Sequence, residues 1–249
     1  MLRGKMDGLL VVDAKRNSSS IEADVPIREI ADAVMAGNVA IVKNAFDPGE
    51  MRQLRSTVNS TQLPICEPTF EHDAQSWRDR REVWVNPETK VLYEASFLAV
   101  TNPDDGLGRV MRATVERLAA FWRSLTGHDH TLVSRTGRRA LRPWAMYYPA
   151  GGGCFGWHEH RLEPTRIGLI LALSQIGIDF TSGGTEFRTP LGLVNVESFH
   201  DIGDVCMFRY DLRHRVAPVD PDREVRWDGS GRWTLLIQGD PRPPDAAAA

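Results

Sequence analysis

Cysteine is scarce in this chain. Cys66, Cys154 and Cys206 are the only three in 249 residues, and no two form a Cys-x-x-Cys pair. An odd, scattered set gives no disulfide framework and fits a reducing compartment, so a cytoplasmic location is expected. Long apolar runs are missing as well. The run Leu9-Leu10-Val11-Val12 is far too short for a membrane span or a secretory core. Charge of one sign is lacking too: the formal net charge is −3 and the pI near 6.2, which gives nucleic acid no basic surface to meet. No internal repeat is visible. These absences point to a soluble protein with neither a membrane nor a nucleic acid as partner.

What is present suits an ordinary globular fold. Hydrophobic residues make up 42% of the chain and charged residues 25%, and a chain of this length buries a large core without staples. Residues 1–24, with the Asn17-Ser18-Ser19-Ser20 tract, read as a loose lead-in. Residues 241–249, rich in Pro, Asp and Ala, read as a frayed tail.

Between them the pattern divides at about residue 140. Ile27, Ile30, Ala31 and Val34 recur at helical spacing, with Gly37 as the stop. A buried strand is expected over 39–42. Asp47-Pro48 is a cap followed by Pro at the first helical position, which starts a second helix. Met111, Val115, Leu118 and Trp122 form the stripe of a third, from about 107 to 125, and Gly127 closes it. The segment 63–99 has no clean period, and strands and loops near a site entrance are expected there.

After Leu141 the chain breaks into short strands separated by Gly and Pro: 144–148, 156–162, 167–173, 184–188, 192–196, 204–209, 214–216 and 232–238. About eight strands in a hundred residues read as a jelly roll or barrel. The preceding helices would cover one sheet from outside. The expected architecture is α+β: a mixed N-terminal part over 25–140 and a double-stranded β-helix (jelly-roll) core over 141–240.

Three features of the second half carry chemistry. In Gly156-Trp157-His158-Glu159-His160-Arg161, a strand would project His158 and His160 from one face, where two imidazoles could take adjacent positions on one metal. His214 follows a Gly-Asp turn and an apolar strand. Arg232 and Thr234 open the last strand and share a face; a guanidinium fork beside a hydroxyl suits a carboxylate. Taken singly, each has an ordinary explanation as a surface or core residue. His128, His130, His72 and His200 are weaker candidates, expected to face solvent.

Together, in this order, these motifs resemble the Fe(II)/2-oxoglutarate-dependent dioxygenase superfamily, nearest its prolyl-hydroxylase-like branch. That family carries His-x-Asp or His-x-Glu on one strand, a distal His on a later strand, and Arg-x-Ser or Arg-x-Thr at the start of the last. The resemblance spans about 141–240 and implies His158 and His214 as metal ligands, with Arg232 and Thr234 as the cosubstrate clamp. Tyr148, ten residues before His158, sits where that branch often places a helper tyrosine. Ser182-Gly183-Gly184-Thr185-Glu186-Phe187 resembles the family's Gly-Gly turn between ligand strands.

The departure is His160, which stands where the family has a carboxylate. Several readings are open: His160 ligates in a three-His face, Glu159 ligates through a bulge, the position is vacant as in the halogenase subgroup, or the metal has been lost. The resemblance implies a non-heme iron(II), 2-oxoglutarate-dependent oxygenase that uses molecular oxygen on a small-molecule substrate. Two rivals are a 2-oxoglutarate-independent three-His cupin-type dioxygenase and a non-catalytic jelly-roll binding protein. Trp77, Trp84, Trp157, Arg78, Arg80, Arg81 and Arg161 are candidate pocket residues for the substrate. Oligomeric state has no signature in the sequence.

Overall fold

The computed structural model describes residues 4–16, 20–65, 75–87, 89–132 and 140–239. It has the expected α+β architecture around a double-stranded β-helix (jelly-roll) core. Eight strands build that core: β8 (Ala140–Pro149), β9 (Gly153–His158), β10 (Ile167–Ala172), β11 (Gly184–Thr189), β12 (Gly192–Asn195), β13 (Val205–Arg209), β14 (His214–Val219) and β15 (Gly231–Gly239). One sheet runs β13-β10-β15-β8 and the facing one β9-β14-β11-β12, all antiparallel.

Earlier strands extend this core. β4 (Val39–Lys43) pairs with β13, and β6 (Thr89–Phe97) pairs with β8 through Glu94 to Phe97 and with β9 through Val91 and Leu92. β6 therefore joins the two sheets along one side. β5 (Trp77–Asn86) lies outside β6, and the two-residue β7 (Thr131–Leu132) pairs with β8.

The first residues differ from expectation. β1 (Gly4–Met6), β2 (Leu9–Arg16) and β3 (Ile21–Ala23) occupy much of the segment read as a loose lead-in. β2 lies parallel to β4 from Leu9↔Val39 to Asp13↔Lys43. A strand flanked on both faces needs a continuous apolar run and not an alternating one, which is what residues 9 to 12 supply. Its partner is some thirty residues away, so no local signal reveals the pairing. The expected tail and Asn17 to Ser19 lie outside the described residues.

Three helices cover one sheet. α1 (Ile27–Met35) and α3 (Gly106–Thr126) pack on it, and α2 (Pro48–Ser60) packs on α3. Asp47 caps α2 by accepting from the Gly49 and Glu50 amides, and Gly127, at φ 70°, ends α3 in the left-handed conformation. Gly108 allows α3 to approach closely, because a Cβ there would lie 2.5 Å from the Ala99 carbonyl oxygen. Trp122 is fully buried and its indole N–H donates to the carbonyls of Thr165 and Ile167.

Strand alternation divides the interior in two. Leu141, Ala145, Tyr147, Ile167, Leu169, Leu171, Val205, Met207, Trp233, Leu235 and Ile237 join the helices in the main apolar core. The opposite faces of the same strands point between the sheets, and there they change character.

Candidate metal centre and cavity

Between the sheets lies a cavity of about 280 Å³. β8 lines it with Trp144, Met146 and Tyr148, the period of two expected of a strand, and β15 with Arg232, Thr234, Leu236 and Gln238, joined near its end by Ile237. Imidazoles of His158, His160 and His214 line it from the facing sheet.

These three rings converge. One ligand nitrogen from each lies within 4.8 Å of the others, and the ring centroids are 4.2 Å apart for His158 and His214 and 4.9 Å for His158 and His160. His158 and His214 are directly paired across β9 and β14. His160 stands two residues beyond His158, past the end of the strand. β9 ends at His158, because its partner His214 is the first residue of β14 and no ladder exists beyond it. Residues 159–161 that follow carry no regular secondary structure, and His160 stacks on Tyr210 with centroids 4.4 Å apart and planes within 13°. Glu159 stays exposed and does not line the cavity.

The ring nitrogens are already sorted. His158 Nδ1 donates to the Gly156 carbonyl at 2.8 Å and His214 Nδ1 to the Leu212 carbonyl at 2.7 Å. A neutral ring that donates through Nδ1 offers Nε2 as a lone pair, the arrangement that metal-binding histidines need. Burial holds all three rings below the ordinary imidazole range. For His160, burial and then the neighbouring His158 take the value down to about 4. Three lone pairs within reach of one point therefore persist at neutral pH, and iron(II) fits this donor set.

At the other end stands Arg232, buried on the cavity wall. Its Nε donates to Glu197 at 2.8 Å and one Nη to Thr185 Oγ1 at 2.7 Å, both from one edge of the fork. Glu197 also accepts from the Thr185 amide. The second Nη, the Thr234 hydroxyl and the Tyr148 hydroxyl have no partner among the described residues. Burial pushes the Tyr148 hydroxyl above the usual phenol range, so it stays protonated and able to donate. One guanidinium edge and two hydroxyls on a shared cavity wall fit the far carboxylate of 2-oxoglutarate.

Glu197 was not visible as a site residue in the sequence. The signal that pointed toward it was the Gly-Gly turn. Gly184 has φ 102°, and a Cβ there would lie 2.1 Å from Glu197 Cγ, so the glycine makes room for the carboxylate that meets Arg232.

Other candidates fall elsewhere. Contrary to expectation, His200 and His130 are buried; His200 Nε2 lies 3.1 Å from both the Ile170 and Asp204 carbonyls, a stitch between β10 and the turn before β13. His128 is 4.0 Å from Glu163, and His72 lies outside the described residues. Trp77 packs with Phe97 and Trp144, Trp84 is exposed, and Trp157 sits between Arg188 and Arg215. Arg78 and Arg80 pair with Glu94, and Arg161 is exposed. Of the arginines named as pocket candidates, only Arg81 lines the cavity.

This architecture is that of the 2-oxoglutarate, iron(II) oxygenases, the fold class the sequence motifs had suggested. A full-length Neurospora crassa protein solved in complex with alpha-KG aligns with a TM-score of 0.58 at 14% identity over 95% of this chain and 86% of that one. A Pseudomonas putida prolyl-4-hydroxylase aligns at 0.54 and 13% identity over 88% and 100%. The non-heme alpha ketoglutarate dependent epimerase SnoN from nogalamycin biosynthesis aligns at 0.52 and 13% over 89% and 87%. Identities this low establish a shared fold. No protein-family model matches the sequence, and no curated protein sequence matches it.

Proposed function

We propose that this chain is a non-heme iron(II), 2-oxoglutarate-dependent oxygenase acting on a small molecule through a three-His metal site. The observation that carries this reading is the pairing of two donor sets in one cavity. His158, His160 and His214 offer three convergent nitrogens, and Arg232, Thr234 and Tyr148 offer a carboxylate seat on the opposite wall.

Iron and 2-oxoglutarate together would supply the oxidising chemistry with molecular oxygen. The chain's own part is to hold and shield. His158 and His214, fixed by their backbone carbonyls, orient Nε2 toward the ion, and His160 is held flat against Tyr210. Arg232 anchors the cosubstrate's far end while Glu197 and Thr185 keep the guanidinium from rotating. Phe155, Phe208, Met146 and Leu236 keep the intervening wall apolar, which limits water around the reacting centre.

Charge supports the same assignment. Replacing a carboxylate ligand by His160 removes one negative charge from the site, and Glu197 places one beside Arg232. With a doubly charged metal and a doubly charged cosubstrate the cavity is balanced, as it would be with a carboxylate ligand and a lone arginine.

Protein reconstituted with iron(II) without oxygen should bind close to one metal per chain and then one 2-oxoglutarate. Exposure to oxygen should yield succinate. Absence of metal uptake would overturn the proposal. The three-His set also suits a cupin-type dioxygenase that dispenses with 2-oxoglutarate; oxygen consumption unaffected by omitting 2-oxoglutarate would favour that second reading.

A further inference from the structure

The cavity holds another cationic group that the metal and the cosubstrate leave unused. Asp79 and Arg81 stand two residues apart on β5, on the strand face that carries them into the cavity. Their cross-strand neighbours on β6 are Ala95 and Tyr93, which line it too. Arg81 Nε donates to Asp79 Oδ2 at 2.6 Å, and no other hydrogen bond of the Arg81 side chain occurs among the described residues. The pair is lopsided. The Asp79 side chain is 13% exposed and that of Arg81 38%, so the carboxylate faces inward and the outer guanidinium edge remains open.

A guanidinium held at Nε by a buried carboxylate is a pre-oriented fork. Its two Nη nitrogens have four N–H donors and a geometry matched to a planar carboxylate. From there the cavity wall toward the imidazoles is apolar. Tyr93 stacks on Phe155 with centroids 5.7 Å apart, Phe155 stacks on His158 at 3.8 Å, and Trp144 and Met146 line the same space. At about 280 Å³ the whole cavity lies at the small end of ligand sites, which run roughly 300–1,000 Å³. The cosubstrate must share it.

Resting on the oxygenase reading, we infer that the substrate is a small organic acid whose carboxylate is held by Arg81 and whose apolar body lies along Phe155, Trp144 and Met146 toward the metal. Arg232 cannot serve this purpose, because its free edge belongs to the cosubstrate seat and its other edge to Glu197 and Thr185. Asp79 acts through Arg81 by fixing Nε, and it does not touch the acid.

The test separates this inference from the reading beneath it. Protein loaded without oxygen with iron(II) and 2-oxoglutarate is titrated calorimetrically with 3-phenylpropanoate and octanoate, and with their primary amides. The acids should bind at least about tenfold tighter than the amides, the value of a charge-assisted pair. Arg81→Gln should abolish that preference while loading of metal and 2-oxoglutarate stays unchanged, and Arg81→Lys should restore part of it. Thermal unfolding of each variant checks that the fold is intact. If metal and 2-oxoglutarate bind but neither acid does, or the amides bind as well as the acids, the inference fails and the oxygenase reading stands. It fails likewise if Arg81→Gln leaves acid affinity intact. If neither metal nor 2-oxoglutarate binds, both fall.

Discussion

The two ends of the cavity are built on opposite principles. At the guanidinium end the protein answers its own charge: Arg232 meets Glu197 and Thr185, both buried, and Gly184 leaves room for the carboxylate. At the imidazole end no group among the described residues answers the three convergent nitrogens. His158 and His214 use their backbone-facing nitrogens for orientation and turn the others to a common point. The first end is a finished piece of core that happens to show one edge to a ligand. The second, on the proposed reading, is completed by a metal, and burial keeps its three rings neutral.

That contrast can be broken most sharply at Glu197. Glu197→Ala should cost about 3–5 kcal/mol of stability, because removing one partner strands the other as a buried charge. Chemical denaturation reads this directly, and an unchanged midpoint would mean that Arg232 finds relief elsewhere. At the imidazole end the loss should appear in binding and hardly at all in stability. His160→Ala should weaken metal uptake by at least about 100-fold, the upper end of what outer partners alone contribute. His160→Asp should retain uptake, and Glu159→Gln should leave it unchanged. Equal metal content in wild type and His160→Ala would remove His160 from the site.

Gly184→Ala sits between the two in effect. A positive φ and a Cβ at 2.1 Å from Glu197 Cγ should cost about 1–3 kcal/mol and displace the Glu197 carboxylate. The smallest effect concerns acid. A histidine whose folded value is depressed takes up its proton more readily when unfolded, so it destabilises the fold as pH falls. For His160 that window opens near 6.5 and closes near 4. The thermal midpoint of metal-free protein should decline across this range, and His160→Gln should flatten part of the decline.

Much of this was legible in the sequence, and the failures have physical causes. Helical stripes and caps are local, so Asp47, Gly127 and the Met111–Trp122 face read directly. Jelly-roll strands were legible because Gly and Pro punctuate them. His160 lies past the end of the strand: the ladder stops at His158, and the imidazole comes beside the other two from the irregular segment that follows. β2 was missed because its partner β4 is distant in the chain and the pairing parallel. Glu197 was missed because its role exists only when β15, β11 and the segment after β12 meet. The burial of His130 and His200 leaves no trace in the sequence, since a histidine in a loop shows no periodicity to place it.

Because β6 shares its hydrogen bonds between both walls of the barrel, separating the walls along that side requires breaking β6 from one of them. The amides of Val91, Leu92 and Glu94 to Phe97 should therefore exchange with solvent as one late, cooperative group, slower than those of the edge strand β12. A barrel seamed in this way deforms on its unseamed side, so accommodation of a bulkier guest should register first in β11 and β12.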